Sequence, residues 1–496
     1  MSETNRFPLF LASFLTLIAA GIGFAIRGAI LGDWSAQFGF TKGELGGITG
    51  GGLVGFGVII LFFSLFADKV GYKPLMVLAF LMHVASALLT LAATPIYESM
   101  GKDACYNCLY WGMFLFAIAN GLCETVINPL TANLYPKQKT HYLNILHAGW
   151  PGGLIVGGVI AFFVCGSNAM ITHLRWEIPM MLFLIPTVVY GFIVLKEKFP
   201  ESEAKAAGVS YGSMFTIFAS PIFLLLLLLH AMVGYVELGT DSWITNIMEN
   251  VIPGNAILLF IYTSGLMFVL RFFAGPIVEK VNPVGLLLGS AILGCLGLVF
   301  LSMADMAITI LAAATVYGLG KTFLWPTMLG VVGERFPQGG AISMGALGGI
   351  GMLSAGLLGG PGIGYEQDYF ASKQLEAESP ETYEEYKSDE AKGFLFFPKI
   401  AGLDGEKVAE LKELRKADKK DEETKLTPEQ DMVLSANMFG GRQALLYTAI
   451  VPFMMAIGYL ILVIYFRAKG GYKQEVLHGK EPDGEHYTGG VEGPVK

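Results

Sequence analysis

Two related segments of the chain carry an acid and a base at the same position. "GLCETVINP", residues 121–129, has Glu124 in an apolar stretch, and "GLGKTFLWP", residues 318–326, has Lys321 at the equivalent place. The segments share Gly, Leu, Thr and Pro at the same offsets. A charge at the centre of a membrane helix costs roughly 2.5–3.5 kcal/mol, so such residues usually have a function. The chemistry that they offer is proton exchange, ion pairing or the binding of a polar solute.

Two further charges lie in apolar stretches, namely Arg27 and Glu237. Together with Glu124 and Lys321 they form a set of two acids and two bases, which is neutral as a whole and costly if one member loses its partner. Glu124 has three possible roles: carrying a proton, pairing with Lys321 or Arg27, or contacting a solute. Glu237 is a second candidate for coupling or binding. Arg27 and Lys321 are candidates for solute binding or ion pairing.

Several neutral polar and aromatic residues suit a hydroxylated solute. Carboxamide and imidazole groups both donate and accept hydrogen bonds, and an indole offers a flat apolar face. Packing between membrane helices is the alternative role for each of them. For His230, a third protonatable group is a further possibility. The candidates are Asn120, Asn128, Asn144, His147, Trp150, His230 and Trp325.

The composition places the chain in a membrane. It is 53% hydrophobic and only 15% charged, with a mean hydropathy of +0.56, whereas soluble proteins carry about 25% charged residues. A bilayer leaves no polar partner for an open backbone, and the alternation of a barrel is absent, so the spans are helices. We predict an all-α protein with twelve transmembrane helices. They cover roughly 8–31, 44–66, 74–94, 110–134, 142–165, 178–195, 221–239, 256–278, 284–304, 306–330, 340–362 and 443–466.

Basic residues in the short connecting segments predict the orientation. Fourteen Lys and Arg residues lie on the side of the two termini and three on the other side. Cytoplasmic loops carry the excess of basic residues, so both termini are expected in the cytoplasm and the protein in the inner membrane of the cell. The start "MSETNRFPLF" lacks the signature of a signal peptide, so the first span is expected to be retained.

The chain divides into two halves of six spans. "SLFADKVGYKPL" after the second span corresponds to "GPIVEKVNPVGL" after the eighth. Such paired halves are typical of secondary transporters, whose sites lie near the midplane. The predicted segments are an N-terminal bundle (1–195), a cytoplasmic linker (196–220), helices seven to eleven (221–363), an extracytoplasmic insertion (364–440), helix twelve (441–467) and a cytoplasmic tail (468–496).

The insertion carries the net charge of the chain. Residues 364–440 contain 19 acids and 11 bases, which accounts for the formal charge of −8. The insertion is either a solvated cap or a regulatory or partner-binding segment. The sequence leaves both roles open and identifies no partner. Cys105 and Cys108 fall in an outer loop, where a disulfide is possible in an oxidising compartment. A metal site would need more ligands than these two, and we predict none.

Short motifs give the chain a family resemblance. "SLFADKVGYK" resembles the signature loop of the major facilitator superfamily, with Asp68, Gly71 and Lys73 matching. "ETVINP", "LNILHAGWPGG", "ELGTDSW" and "RFFAGPIVEK" resemble helices four, five, seven and eight of the fucose-permease-like sugar–proton symporters. The resemblance implies two pseudo-symmetric six-helix bundles around a cavity lined by helices 1, 4, 7 and 10. Residues near helix ends are expected to lock one conformation: Asp68, Lys69, Gly71, Lys73, Arg271 and Glu279.

No motif of the chain supports an enzyme, a nucleotide site or nucleic-acid binding, and no cofactor is expected. "GLGK", residues 318–321, lacks the spacing of a P-loop. The driving force is expected to be a proton gradient, with sodium as the alternative ion. We expect a monomer that takes up a sugar or related hydroxylated solute with a proton. The alternatives are an organic-anion carrier in which Arg27 and Lys321 bind a carboxylate, a sensor that does not transport, and an exporter of amphipathic compounds.

The predicted orientation can be tested with topology reporters in Escherichia coli. Alkaline phosphatase folds to an active form only outside the cytoplasm. We expect an active enzyme when it is fused after Asp103, in the predicted outer segment, and an inactive one when it is fused after Lys496. Green fluorescent protein fused after Lys496 is expected to fluoresce. The reverse pattern would contradict the orientation.

Overall fold

The structure is a computed structural model that describes residues 5–50, 52–165, 169–251, 256–418, 425–477 and 491–492. The first residues of the predicted N-terminal bundle, part of the insertion and most of the tail lie outside these ranges.

The described residues form twelve membrane helices in two bundles, as the sequence predicts. Eleven helical stretches are long and apolar enough to cross a membrane, and a shorter one covers Ala256–Arg271. This shorter helix resumes at Ala274, and the stretch Ala274–Met303 is divided at Asn282, whose φ of 56° is not helical. The helices are α1 (Arg6–Ala29), α2 (Lys42–Gly50 and Gly52–Val70), α3 (Tyr72–Leu91), α4 (Lys102–Leu134), α5 (Lys139–Val164), α6 (Glu177–Met180 and Leu184–Lys196), α7 (Pro221–Gly234, Tyr235–Gly239 and Thr240–Glu249), α8 (Ala256–Arg271 and 274–281), α9 (283–303), α10 (Ala307–Lys321 and Leu324–Arg335), α11 (Gly340–Ser354, Ala355–Gly359 and Gly360–Glu378) and α12 (Pro428–Thr448 and Ile450–Ala468).

Side chains cap the starts of several of these helices, among them α7 and α12. The Ser220 hydroxyl accepts a hydrogen bond from the backbone N–H of Phe223 at 3.5 Å, and Pro221 occupies the first turn of α7. Thr427 caps α12 in the same way, and the side chain of Gln430 accepts from the backbone N–H of Thr427. These caps satisfy N–H groups that have no partner within the helix, and proline fits the first turn because its missing N–H would be unpaired there.

Prolines inside the helices free particular carbonyl groups. Proline has no N–H, so the carbonyl four residues earlier loses its helical donor. Pro151 lies within α5 and Pro326 lies in the first turn of the second segment of α10. The carbonyls of His147 and Thr322 are therefore free to accept hydrogen bonds from elsewhere.

The helices α1–α6 form one lobe and α7–α12 the other. Within the first lobe α1 packs along α5 and α3 along α4, and within the second α9 packs along α10 and α12. The pair α1 and α5 approaches closely at glycines: a Cβ on Gly153 would lie 2.4 Å from the carbonyl oxygen of Ile18. Small residues permit this approach between membrane helices. Large apolar side chains on the outer faces, such as Phe192 and Ile464, are exposed, as expected next to lipid.

Hydrogen bonds close the two lobes at the end of the bundle where the described N-terminal residues lie, which we call the termini end. The ammonium of Lys139 on α5 donates to the carbonyl of Gly333 on α10 at 3.0 Å. Thr140 donates to Oε1 of the next side chain of α10, Glu334, at 2.6 Å. Oδ2 of Asp68 on α2 accepts from the backbone N–H of Ala341 on α11 at 2.9 Å.

The segment after α12 strengthens this closure. The Tyr472 hydroxyl donates to Oε2 of Glu334 at 2.8 Å, and burial raises the pKa of Tyr472 well above its ordinary value, so the phenol remains a donor. The Gln474 amide donates to the carbonyl of Pro136 in the other lobe at 2.8 Å. The segment therefore contacts both lobes at the termini end.

The opposite end, which we call the insertion end, is open. A cavity of about 1070 Å³ separates the lobes there, with Gly28 of α1 and Leu31 just after α1 on one side and Ser242 and Trp243 of α7 on the other. We call it the outer cavity. The structure is thus closed at the termini end and open at the insertion end.

The insertion is a folded unit. Its first and last parts are helical, because α11 continues to Glu378 and α12 begins at Pro428. Between them lie a helix (Pro380–Tyr386), a two-stranded antiparallel sheet of β1 (Lys387–Lys392) and β2 (Ile400–Leu403), and a helix (Gly405–Asp418). These parts share a small apolar core, which includes Leu375, Tyr386, Val408, Leu411 and Val433.

The closed termini end predicts a difference between two glycines of α11. A Cβ on Gly345 would lie 1.7 Å from Oγ of Ser64 on α2, whereas a Cβ on Gly348 would meet its nearest neighbour, Ile60, at 3.8 Å. We therefore expect Gly345→Ala to separate the lobes at the termini end and Gly348→Ala to leave them closed.

Spin labels provide the measurement. The five native cysteines are first replaced by serine. Spin labels on Val70→Cys and Val281→Cys, both at exposed positions, then report the distance between the lobes. Gly345→Ala should shift the distance distribution to longer values, and Gly348→Ala should not. Equal distributions in the two variants would contradict the prediction, provided that both proteins melt cooperatively.

Candidate functional site

A small cavity lies between the lobes near the middle of the membrane helices. Its volume is about 30 Å³, room for about one or two water molecules. Thr16, Leu17 and Ala20 of α1 contribute to its lining. Of the residues predicted from sequence, seven line it, and they come from α4, α5, α7, α8 and α10: Asn120, Glu124, His147, Trp150, Glu237, Arg271 and Trp325. We call it the central cavity.

Glu124 is held by a hydrogen-bonded group of residues in its own lobe. The Asn128 amide donates to Oε2 of Glu124 at 2.6 Å. Nε2 of His147 lies 2.9 Å from Oδ1 of Asn128, and because this oxygen accepts, Nε2 must carry the proton. Glu124 on α4 is thereby connected to α5.

Arg271 connects the two lobes at the central cavity. Its guanidinium donates through Nη1 to the carbonyl of His147 at 2.7 Å and through Nε to the carbonyl of Thr322 at 2.7 Å. These are the two carbonyls that Pro151 and Pro326 leave without a helical donor. Its third partner is Glu237 on α7, whose Oε1 accepts from Nη2 at 3.0 Å.

The prediction that Arg271 locks a conformation stays a prediction, and the structure shows where the residue lies. Arg271 is the last residue of the first segment of α8, which resumes at Ala274, so it lies at a break inside the membrane span. Its side chain is 1% exposed.

Glu237 is the acid that pairs with Arg271. Its Oε1 accepts the bond from the guanidinium, while its buried Oε2 has no hydrogen-bond partner among the described residues. Glu237 also lines the central cavity. This second oxygen can therefore accept a hydrogen bond from a bound solute or take up a proton.

Lys321 lies away from Glu124. Its ammonium forms an ion pair with Oδ1 of Asp241 at 2.5 Å, and neither residue lines the central cavity. The ion pair of Glu124 with Lys321, one of the roles that the sequence left open, is therefore not formed. The physical reason is that α7 supplies Lys321 with a carboxylate in its own lobe, which compensates its charge at lower cost than a partner across the cavity.

Sequence reasoning missed Asp241, although a signal was present. Asp241 follows Glu237 by four residues in "ELGTDSW". That spacing places two side chains on one face of a helix. Once Glu237 was selected as a candidate, Asp241 could therefore have been selected with it.

Arg27 lies inside the first lobe. Its guanidinium donates to Ser86 Oγ at 3.2 Å and to the carbonyl of Gly23 at 3.3 Å. It also stacks over the ring of Phe116, 3.8 Å from the centroid, and such contact stabilises a buried cation. The predicted clamp of Arg27 and Lys321 around a carboxylate is therefore not formed, nor is an ion pair of Arg27 with Glu124.

His83 orients one of the predicted solute ligands. Its Nε2 lies 3.0 Å from Oδ1 of Asn120, and its Nδ1 lies 2.7 Å from the hydroxyl of Tyr190. The first bond holds the amide of Asn120 at the cavity wall, and the second fixes the ring of His83. Sequence reasoning did not select His83, because nothing in its local sequence sets it apart from a packing residue.

Two predicted residues lie behind the cavity wall. The Asn144 amide donates to Oγ1 of Thr327 at 3.1 Å, which joins α5 to α10. The ring of His230 packs against Trp325 with centroids 4.5 Å apart, and among the described residues neither of its nitrogens has a hydrogen-bond partner. Both residues support the wall rather than face the cavity.

The other residues predicted to lock a conformation lie at the termini end. Lys73 donates to the carbonyls of Leu195 and Glu197, each at 2.9 Å, and so caps α6. The ammonium of Lys69 lies 3.4 Å from the ring centroid of Tyr211 in the linker. Asp68 makes the contact with α11 described above. Gly71 forms a turn with φ of 89°, and Glu279 is exposed.

The disulfide that the sequence left open is not formed in this structure. Cys105 and Cys108 are both free thiols on α4. The thiol of Cys108 instead donates to the carbonyl of Leu89 at 2.9 Å. Across the part of the chain that the structure describes, no group of three or more His, Cys, Asp or Glu residues is arranged to hold a metal.

Two six-helix lobes around a polar central cavity, closed at one end and open at the other, define a membrane transporter. The comparisons agree: the family model described as Major Facilitator Superfamily matches residues 9–360. The chain belongs to this superfamily and is a transporter rather than an enzyme. No curated protein sequence matches it.

Solved structures show the same fold at low sequence identity. The Escherichia coli fucose:proton symporter FucP has 14% identity and a TM-score of 0.62, covering 92% of this chain and 99% of FucP. The proton:xylose symporter XylE, bound to 6-bromo-6-deoxy-D-glucose, has 12% identity and a TM-score of 0.62, covering 75% of this chain and 90% of XylE. The human organic anion transporter MFSD10 has 11% identity and a TM-score of 0.59, covering 92% of this chain and all of that chain, 100%.

The buried pair of Lys321 and Asp241 predicts a stability effect. Removing one partner leaves an uncompensated charge in the membrane, so Lys321→Met and Asp241→Asn should each destabilise the protein by about 3–5 kcal/mol. The double variant should recover most of this loss. Thermal unfolding of the purified protein in one detergent provides the measurement, and additive losses in the double variant would contradict the pairing.

Proposed function

We propose that the protein takes up a neutral sugar or a related hydroxylated solute together with a proton, by alternating access. The observation that supports this most directly is the linked set of polar groups at the central cavity. Glu124 is bonded to Asn128, which is bonded to the ring of His147, and the carbonyl of His147 accepts from Arg271, which pairs with Glu237. The set crosses from one lobe to the other, so a change at either acid affects how the lobes meet.

The charges favour Glu124 as the proton carrier. Glu237 is paired with Arg271, and Asp241 with Lys321. Within the described parts of the chain, no basic side chain lies within ion-pair distance of Glu124. A proton on Glu124 therefore removes an uncompensated charge from the membrane interior, which makes closure of the lobes around it less costly. In this proposal the proton gradient is the driving force and no cofactor takes part.

The cavity lining favours a solute with hydroxyl groups. Trp150 and Trp325 bring apolar indole rings to the cavity, and Asn120, His147 and the free Oε2 of Glu237 bring polar groups. A ring with hydroxyls offers both an apolar face and hydrogen-bonding groups. The cavity is smaller than a sugar in this conformation, so binding requires the lobes or the indoles to move apart.

The same lining argues against a simple carboxylate. Arg271, the base at the central cavity, already makes three hydrogen bonds. An organic anion would have to displace Glu237 from it. Arg27 and Lys321 are engaged elsewhere, so the alternative of an organic-anion carrier loses the residues on which it was based.

Proton coupling can be tested with liposomes that contain a pH-sensitive dye. The protein would be offered D-xylose, L-fucose, D-glucose, gluconate and lactate in turn. We expect at least one neutral sugar, and neither carboxylate, to acidify the lumen. Glu124→Gln should abolish acidification and uphill uptake, because a carboxamide cannot exchange the proton. The same variant should still exchange labelled for unlabelled sugar, since this needs no net proton movement.

The matched control is Glu98→Gln, which neutralises an exposed acid on the short helix Ala93–Met100 and should leave all three activities unchanged. Uphill uptake by the Glu124→Gln variant would contradict the assignment of the proton carrier. Acidification by gluconate or lactate alone would instead support an organic-anion carrier.

A further inference from the structure

The outer cavity is a second candidate for solute binding, separate from the central one. At about 1070 Å³ it reaches the upper end of the range for small-molecule sites. Its walls come from both lobes and from the insertion, whose residues Leu403, Gly405 and Val408 contribute to the lining. A solute that enters from the insertion end must pass through this space.

The polar groups of the outer cavity are mainly carboxamides. Asn246, Asn250, Gln367 and Asn437 line it, from α7, α11 and α12. Asn437 donates to Oδ1 of Asn250 at 3.1 Å, which holds two of these groups in place. Carboxamides donate and accept hydrogen bonds without a charge, which suits hydroxyl groups on a neutral ring.

A fixed aromatic ring accompanies these amides. Trp243 donates through Nε1 to the carbonyl of Gly360 at 2.7 Å. A Cβ at Gly364 would lie 2.9 Å from the indole, so glycine is needed there for the ring to take this place. The indole is therefore held by α11 at the wall of the cavity, where it offers an apolar face.

The insertion supplies a wall that is itself anchored. Its helix Gly405–Asp418 starts at Asp404, whose side chain accepts from the backbone N–H of Glu406 at 2.8 Å. Val408 and Leu411 on this helix are buried in the core that the insertion shares with α11 and α12. The insertion therefore forms part of the wall of the outer cavity and is not only a solvated cap.

The charges around the outer cavity do not favour an anion. Among the described residues that line it, three are acids and two are bases: Glu249, Asp368, Glu413, Lys412 and Arg415. This balance gives no excess of positive charge to attract a carboxylate or a phosphate. A neutral polar solute is the class that the lining fits.

We propose that the outer cavity is an entrance site that binds the same hydroxylated solute before it reaches the central cavity. The proposal rests on the proposed function, because it takes the solute class from it. Trp243, Asn246 and Gln367 are the residues assigned to recognition, and the helix Gly405–Asp418 closes the site on the side of the insertion.

Transport kinetics provide the first test, with whichever of D-xylose, L-fucose and D-glucose the liposomes take up. Asn246→Leu combined with Gln367→Leu should raise KM about tenfold with kcat unchanged, as expected when binding is lost equally from ground and transition states. Asn107→Leu, at an exposed amide outside the cavity, is the matched control and should change neither. An unchanged KM in the double variant would overturn the entrance site and leave the proposed function intact.

Fluorescence separates the two proposals. The chain has six tryptophans, and a variant that keeps only Trp243, with the other five replaced by Phe, reports on the outer cavity. Titration with the three sugars should give a saturable change that Glu124→Gln preserves and the Asn246→Leu, Gln367→Leu double variant removes. A flat titration, in a protein that is monodisperse and melts cooperatively, would overturn the entrance site. A saturable change in this variant, together with no uptake of any of the three sugars by the wild-type protein, would support the entrance site and contradict the proposed function.

Discussion

A buried guanidinium between the two lobes imposes the strongest constraint on this structure. A cation in the membrane interior is costly unless it is paired and hydrogen-bonded, and each of the three guanidinium nitrogens of Arg271 has a partner, on three different helices. Two of its partners are carbonyls that Pro151 and Pro326 leave free, and the third is Glu237. The two prolines are distant from Arg271 in sequence, but they leave carbonyl acceptors in α5 and α10 for the guanidinium on α8. The contact with α5 ties the conformation of the lobes to the charge state of the cavity.

The sequence predicted the architecture better than the pairing of charges. Apolar length alone predicts twelve helices, and motifs predict the superfamily, because both depend on local properties. Pairing depends on geometry that no local pattern contains. Glu124 and Lys321 occupy equivalent positions in the two repeats, and pseudo-symmetry places equivalent positions in different lobes, where each finds its own environment. The partners of Arg271 lie on three other helices, so its place at the central cavity could not be read from its own sequence. Pro151 and Pro326 were a usable signal, since the carbonyl four residues before each proline can be read from the sequence alone.

The two ends of the bundle differ in how they hold the lobes together. At the termini end, charged and polar groups of α2, α5, α10 and α11 bond directly across the seam, and Tyr472 and Gln474 add contacts to both sides. At the insertion end the lobes are separated by the outer cavity, and the insertion is anchored on α11 and α12. The asymmetry has a physical consequence. Opening the termini end must break these polar contacts, whereas the insertion end is already separated by the outer cavity.

In the proposed proton symport, the energies involved are of a size that the movement of one proton can supply. A hydrogen bond to a charged group contributes about 1.5–3 kcal/mol, and this is the scale of the bond between Arg271 and the carbonyl of His147. One elementary charge that crosses a potential of about 100 mV releases about 2.3 kcal/mol. If the lobes separate at this contact, the carbonyl that Pro151 leaves free has no helical donor to return to, so water or a solute hydroxyl must replace the guanidinium. A solute that donates there lowers the cost of separation, whereas an apolar molecule of the same size does not. Coupling of solute to movement then follows from the missing N–H of one proline, and no large rearrangement of the helix is needed.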